Sequence, residues 1–289
     1  MSPFDLLPRI AYSDRDAPTQ FAHSLHQTGF AILRDPPLPL QLVQAVYSEW
    51  ATFFNSDHKY SYKFDPQRQA GFFPFQTEHA KDCDRPDLKE FYHLYQGEPL
   101  PAGISNRTWQ LFDTLVNLAE ELLGWIESHC PAQISQNFSV PLSAMITDSP
   151  ENLLRLIHYP ALSSEPDPGS LRAAAHEDVN LLTLLPAATA TGLEIRDNQG
   201  NWYTVPSDRG DLVINVGDML QLTSRGYYRS TTHRVVNPAG ESLSQPRYSM
   251  PLFLHPRPEV VLAEGVTARA FLNQRLREIG LLNAEQSRA

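Results

Sequence analysis

From about residue 150 onward the chain is a succession of short apolar runs cut by Gly, Pro, Asn and Asp, and this texture limits its fold more than any other feature. The runs are Leu153–Tyr159, Val179–Leu185, Leu193–Arg196, Trp202–Val205, Leu212–Val216, Met219–Leu222, His233–Val236 and Tyr248–Leu254. Each has the length of a strand. Asp197-Asn198-Gln199-Gly200-Asn201 reads as a hairpin turn, with further turns at Asp208–Asp211 and Gly217-Asp218. Eight short strands at this spacing predict a double-sheet jelly roll.

The first half reads differently. Residues 1–17 form an irregular leading segment. Thr19 to Thr28 has helical spacing and stops at Gly29, and Phe30–Leu33 is a short strand ended by Asp35-Pro36-Pro37. Leu40, Val43, Val46, Trp50 and Phe53 recur every three or four residues, which predicts an amphipathic helix over Leu38–Phe54. Residues 55–89 are polar, aromatic and irregular, a long loop of the kind that often serves a binding site. Lys89–Tyr95 alternates as a strand, and Trp109–Cys130 carries a Leu stripe on the longest helix. Ala268–Leu281 reads as a closing helix. The expected class is mainly β with flanking helices: an N-terminal region over 1–149, a jelly-roll core over 150–258 and a C-terminal helical segment over 259–289, all in one structural unit.

Composition excludes several roles. A net charge of −10 leaves no basic footprint for nucleic acid. No basic amphipathic helix or long apolar span suggests a membrane. Cys83 and Cys130 form no metal motif, and two cysteines with no leader pattern suit a reduced, cytoplasmic location. Oligomeric state leaves no mark on the sequence.

Ala173–Leu185 holds His176-Glu177-Asp178 directly ahead of an apolar run. On extended backbone His176 and Asp178 share a face, and Glu177 points to the other. His233 opens a later apolar strand, far enough along for the chain to return to the same end of a barrel. Taken singly, each is more often a hydrogen-bonded polar residue at a strand end. Together, two imidazoles and a carboxylate on one side of a metal make the facial triad of non-haem Fe(II) oxygenases, whose open positions take co-substrate and dioxygen. Arg247 and Ser249 are an i, i+2 pair suited to clamp a carboxylate. Fe(II) with Asp178, a bound dicarboxylate and Arg247 sum to zero charge, which makes their joint burial feasible.

These motifs resemble the isopenicillin N synthase-like branch of the Fe(II)/2-oxoglutarate-dependent dioxygenases. His176-Glu177-Asp178 matches its H-x-D, and Leu182-Thr183-Leu184-Leu185 its L-T-x-L. Gly192-Leu193-Glu194-Ile195 with Trp202 resembles G-L-x-V…W. Gly217-Asp218-Met219-Leu220, Ser224-Arg225-Gly226 and Ser230 to Val235 resemble G-D-x-L…S-N-G…S…H-R-V, and Arg247-x-Ser249 matches R-x-S. Arg225 replaces a frequent Asn, and Ile157 stands where plant members have the Asn of Asn-Tyr-Tyr-Pro. The resemblance implies an oxygenase that takes Fe(II), 2-oxoglutarate and dioxygen, releases succinate and carbon dioxide, and by default hydroxylates a small molecule. It implies His176, Asp178 and His233 as iron ligands, with Arg247, Ser249 and Tyr159 on the distal carboxylate.

Two rivals remain at this level. One is an iron oxidase of the same fold that does not use 2-oxoglutarate. The other is a non-catalytic binding or sensor protein. His158 is expected to face away from Tyr159, in a structural or pocket-lining role rather than as a ligand, and His255 to lie in an exit loop. Phe72, Phe73, Phe75, Phe91 and Tyr95 are candidates to line a substrate pocket, though ordinary core packing explains any one of them as well.

Overall fold

A computed structural model describes residues 7–78, 85–278 and 282; Cys83 and the last residues of the expected closing helix lie outside these. The strands are β1 (Arg9–Ala11), β2 (Phe30–Arg34), β3 (Gly71–Phe73), β4 (Glu90–Tyr95), β5 (Leu153–Tyr159), β6 (Ala173–His176) and β7 (Leu182–Pro186). They continue with β8 (Leu193–Arg196), β9 (Trp202–Thr204), β10 (Leu212–Val216), β11 (His233–Val235), β12 (Arg247–Ser249) and β13 (Leu252–Leu254). The principal helices are α1 (Ala17–Thr28), α2 (Leu40–Phe54) and α3 (Arg107–Ser128).

The larger sheet runs β1-β2-β10-β7-β13-β5-β4-β3, with β12 also pairing to β5. The smaller runs β6-β11-β8-β9. Their sandwich is the jelly roll, and β1 to β4 extend its larger sheet. Alternation assigns each residue a side. On β7, Leu182 and Leu184 join the core beneath the helices, while Thr183 and Leu185 turn between the sheets. The helical faces match: Val43, Val46, Trp50 and Phe53 of α2, and Leu111, Leu115, Leu118 and Leu122 of α3, are buried in that core. Trp50 Nε1 donates to Thr108 Oγ1 (3.1 Å), joining the two helices. A second apolar layer between the sheets holds Phe30, Ile32, Ile195 and Val213. Among the described residues no helix is long and apolar enough to cross a membrane.

Several expectations need correction. Met219–Leu222 is not a strand; it lies in a helix over Asp218–Thr223. A four-residue apolar run fits either state, and here the deciding contacts are at the helix start, where Asp218 and Met219 N–H donate to the carbonyls of Asp178 (2.7 Å) and Asn180 (3.0 Å). Gly217 precedes this helix because a Cβ there would overlap the Asn180 carbonyl. The strands not expected after residue 150 include β6, whose alanines lack an apolar alternation to read, and the hairpin of β14 (Val261–Ala263) and β15 (Val266–Thr267), which lies within the expected C-terminal helical segment. The Tyr248–Leu254 run begins at Arg247 and breaks into β12 and β13 around Met250-Pro251, since proline has no N–H for a ladder. Val179–Leu185 starts only at Leu182, the leading segment contains β1, and the long loop contains β3. The closing helix is described over Ala268–Glu278.

α1 ends at Gly29, whose φ of 72° is left-handed. A side chain there would also collide with Thr231. Thr231 Oγ1 in turn donates to the Thr28 carbonyl (2.8 Å), fixing the segment that leads into β11.

Candidate active site

His176 ends β6 and His233 begins β11, and the two residues are direct cross-strand partners. Their rings therefore lie side by side, with centroids 4.4 Å apart. His176 Nδ1 is 2.7 Å from the Ala174 carbonyl and His233 Nδ1 is 3.1 Å from the Thr231 carbonyl. A carbonyl only accepts, so both Nδ1 atoms carry the proton and both Nε2 lone pairs face the centre.

Asp178 reaches the same centre by another route than strand alternation. β6 stops at His176, and Asp178 lies in the connection to β7. Its Oδ2 accepts from Thr183 Oγ1 (2.6 Å) and from Asn215 Nδ2 (2.8 Å). Asn180 Nδ2 donates to Thr183 Oγ1 (2.8 Å), setting the direction of that hydroxyl. Oδ1 is left 3.9 Å from His176 Nε2 and 3.7 Å from His233 Nε2. The three ligand atoms lie within 4.8 Å of one another. The His176 side chain is 36% exposed and that of Asp178 8%, so the cluster is open on one side.

Charge completes the fit to a cation. Burial, and next the neighbouring His233, push His176 down to about 4, leaving a neutral donor at neutral pH. Burial pushes the Asp178 carboxyl up, but the adjacent imidazoles and the bonds from Asn215 and Thr183 outweigh it and hold the group below its ordinary value. Two neutral nitrogens and one anionic oxygen are a donor set suited to Fe(II). Glu177 turns away and takes a hydrogen bond from Thr232 Oγ1.

On the opposite wall, Arg247 of β12 pairs with Tyr159 of β5, and Ser249 with Ile157. Arg247, Ser249 and Tyr159 are buried and share one face. The Arg247 guanidinium lies 5.0 Å from the centre of the Tyr159 ring. Its Nε donates to the Ala190 carbonyl (3.0 Å), while Nη1 is buried with no partner among the described residues. Sequence reasoning missed a second arginine here. Arg172, 2% exposed, lies 5.9 Å from the same ring and donates through Nη2 to the Gln245 carbonyl (2.9 Å). Only its closeness to the H-x-D motif could have drawn attention to it.

The candidate pocket aromatics separate. Phe73 and Phe91 stack at 4.3 Å and cluster with Ile157, Tyr159, Ala173 and Val235. Phe72 belongs to the helix-facing core, Phe75 is exposed and Tyr95 half-buried. Beside Phe91, Arg155 stacks at 4.6 Å and donates through Nε to His93 Nε2 (2.8 Å). Lys89 bridges Asp87 (2.8 Å) and Glu78 (2.7 Å), and Asp87 also accepts from the Ala174 N–H (2.9 Å) on β6. His158 is structural, as expected: its ring stacks on Tyr248 and bonds Glu90, which Lys59 also holds (2.8 Å). His255 is buried beyond β13, with its N–H on Asn152 Oδ1 (3.1 Å).

A jelly roll with two imidazoles and a carboxylate at its open end, and unpaired buried guanidinium groups within, defines a non-haem iron oxygenase that takes an acidic co-substrate. Comparison with known proteins gives the family. The 2OG-Fe(II) oxygenase superfamily model matches residues 150–256. A Shewanella oneidensis protein assigned as an oxygenase is 43% identical in its crystal structure, covering 96% of this chain and 99% of its own, with a TM-score of 0.86. A Neurospora crassa protein, solved at full length with alpha-KG and thymine, is 25% identical over 94% of this chain and 96% of its own, with a TM-score of 0.78. Gibberellin 2-beta-dioxygenase 1 of Arabidopsis thaliana is 25% identical, covering 81% of this chain and 74% of its own length. The chain belongs to the 2OG-Fe(II) oxygenase superfamily. It is an Fe(II)- and 2-oxoglutarate-dependent dioxygenase, and the readings without 2-oxoglutarate or without catalysis are not favoured.

Proposed function

We propose that His176, Asp178 and His233 hold the iron and that Arg247, Ser249 and Tyr159 hold the distal carboxylate of 2-oxoglutarate. The substrate is a small molecule, and hydroxylation is the outcome. One observation carries this reading: a neutral–neutral–anionic donor set converges at one end of the sandwich, while the wall behind it presents a buried guanidinium with an unpartnered N–H. The H-x-D, L-T-x-L and R-x-S motifs support the isopenicillin N synthase-like branch.

The bound iron and 2-oxoglutarate supply the oxidising power, drawing on dioxygen and releasing succinate and carbon dioxide. The chain's own work is positional and electrostatic. The Ala174 and Thr231 carbonyls fix both imidazoles in the ligating tautomer. Thr183 and Asn215 engage one oxygen of Asp178 and so direct the other to the centre. Arg247 supplies a fixed cation that fits a carboxylate in a bidentate manner. The stacked Phe73 and Phe91, with Ile157 and Val235, form an apolar cluster against Tyr159. The thymine complex of the Neurospora crassa relative supports a small-molecule substrate for this chain.

The test is an anaerobic titration with Fe(II) and then 2-oxoglutarate, watched for the visible charge-transfer band, followed by succinate measurement in air. A saturable band that is absent in His176→Ala is expected. No band in the wild type, or an undiminished band in His176→Ala, would overturn the site.

A further inference from the structure

Two unpartnered buried nitrogens, Arg172 Nε and Arg247 Nη1, belong to guanidinium groups over one ring, that of Tyr159. Both arginines are 2% exposed. Among the described residues neither forms an ion pair with a carboxylate. Burying a cation without a counter-charge is costly, and burying two near each other adds repulsion. The strain registers on Arg172, which burial and next the charge of Arg247 bring down to about 10. Arg247 has a role in the reading above. Arg172 has none, and the fold does not explain its charge: its hydrogen bond goes to the Gln245 carbonyl, which a neutral amide could serve equally well.

We propose that Arg172 is a second cationic determinant of the co-substrate pocket, selecting a 2-oxo acid that carries a distal carboxylate over one that ends in a methyl group. The inference rests on the reading of Arg247, Ser249 and Tyr159 as the distal-carboxylate site. A 2-oxo acid presents its keto-acid end to the metal in either case. Only a dicarboxylate brings a second negative charge to the Tyr159 end of the pocket, where both guanidinium groups stabilise it at low dielectric. A monocarboxylate leaves the two cations facing each other unrelieved. Arg172 thus acts on specificity at the distal end, beside Tyr159.

The experiment compares 2-oxoglutarate with 2-oxopentanoate, which has the same chain length and no distal carboxylate. Each is titrated anaerobically into the Fe(II)-loaded wild type, R172Q, R172K and R247Q, and binding is read from the charge-transfer band and from the rise in Tm. R172Q is expected to weaken 2-oxoglutarate by about tenfold or more and 2-oxopentanoate by less than about twofold. R172K keeps most of the preference, because the charge is retained. The inference is overturned if R172Q keeps the wild-type preference, or if both acids lose affinity in equal proportion, as a purely structural role would give. If R172Q does not fold, R172M is read in its place: a narrowed preference supports the role of charge and an unchanged one overturns it. R247Q separates the two levels. If it binds 2-oxoglutarate like the wild type, the underlying carboxylate site is wrong; if it is weakened while R172Q is not, only the role of Arg172 falls.

Discussion

Thr183→Val removes one hydroxyl from β7 and keeps the shape of the side chain. That hydroxyl donates at 2.6 Å to Oδ2 of Asp178, a buried carboxylate. Asn180 Nδ2, which donates to the same hydroxyl (2.8 Å), loses that acceptor and keeps only its bond to the Leu182 carbonyl (3.0 Å). Two bonds are lost: the one to the charged acceptor, about 1.5–3 kcal/mol where the acceptor is buried, and the one accepted from Asn180, whose freed N–H adds about 1–3 kcal/mol to the cost in stability. Asn215 still engages Oδ2, so the carboxylate loosens without being released. The expected result is a rise of roughly 10–100-fold in the Kd for Fe(II), the usual range for an outer partner of a metal ligand. Activity at saturating iron should recover most of its wild-type value. The assay is anaerobic metal titration of wild type, Thr183→Val, Thr183→Ser and Asn215→Ala. Thr183→Ser keeps the donor and should bind like the wild type. The double variant of Thr183→Val with Asn215→Ala should deviate from additivity, because both donors serve one oxygen. An unchanged Kd in Thr183→Val would refute the idea that this bond sets the ligand.

Other outcomes follow from the same geometry. His176→Ala and Asp178→Ala should each abolish succinate release, and Arg247→Ala should raise the KM for 2-oxoglutarate by roughly 30-fold or more with a smaller change in kcat. Gly217→Ala forces a Cβ onto the Asn180 carbonyl; it should cost about 1–3 kcal/mol in urea denaturation and weaken iron binding by shifting Asp178. Burial pushes the Glu78 carboxyl up, but Arg155 and then Lys89 hold it well below its ordinary 4.5. A carboxyl depressed by folding stabilises above its unfolded pKa and loses that contribution as pH falls through the folded one. Glu78→Gln should therefore be less stable than wild type at neutral pH, with the gap narrowing below 4.5 in denaturation series.

How much could be read in advance depended on whether local chemistry or the packed whole decided each residue. β8 and β10 lie at their predicted bounds because their ends carry turn residues. The convergence of His176, Asp178 and His233 was legible because donor type, spacing and strand context agree. β6 was not, since alanine gives no periodic signal. The helix at Asp218–Thr223 was mistaken for a strand because its start is fixed by carbonyls of the Asp178 loop, which only the folded chain brings there. Asp178 itself was placed correctly beside His176 for an incomplete reason: partners on β7 and β10 orient it after the strand has ended. Arg172 stayed hidden because its meaning lies in burial beside Tyr159 and Arg247, contacts made only by distant strands.

The two imidazoles come from the smaller sheet, and the carboxylate is moored to the larger one through Thr183 and Asn215. An ion held by all three is thus a rivet across the open rim of the sandwich. Its binding energy becomes folding energy: at a hundred times its Kd it adds about 2.7 kcal/mol to stability. For this protein, scarcity of iron should then shorten survival as well as slow turnover, with the iron-free form cut by protease sooner than the loaded one.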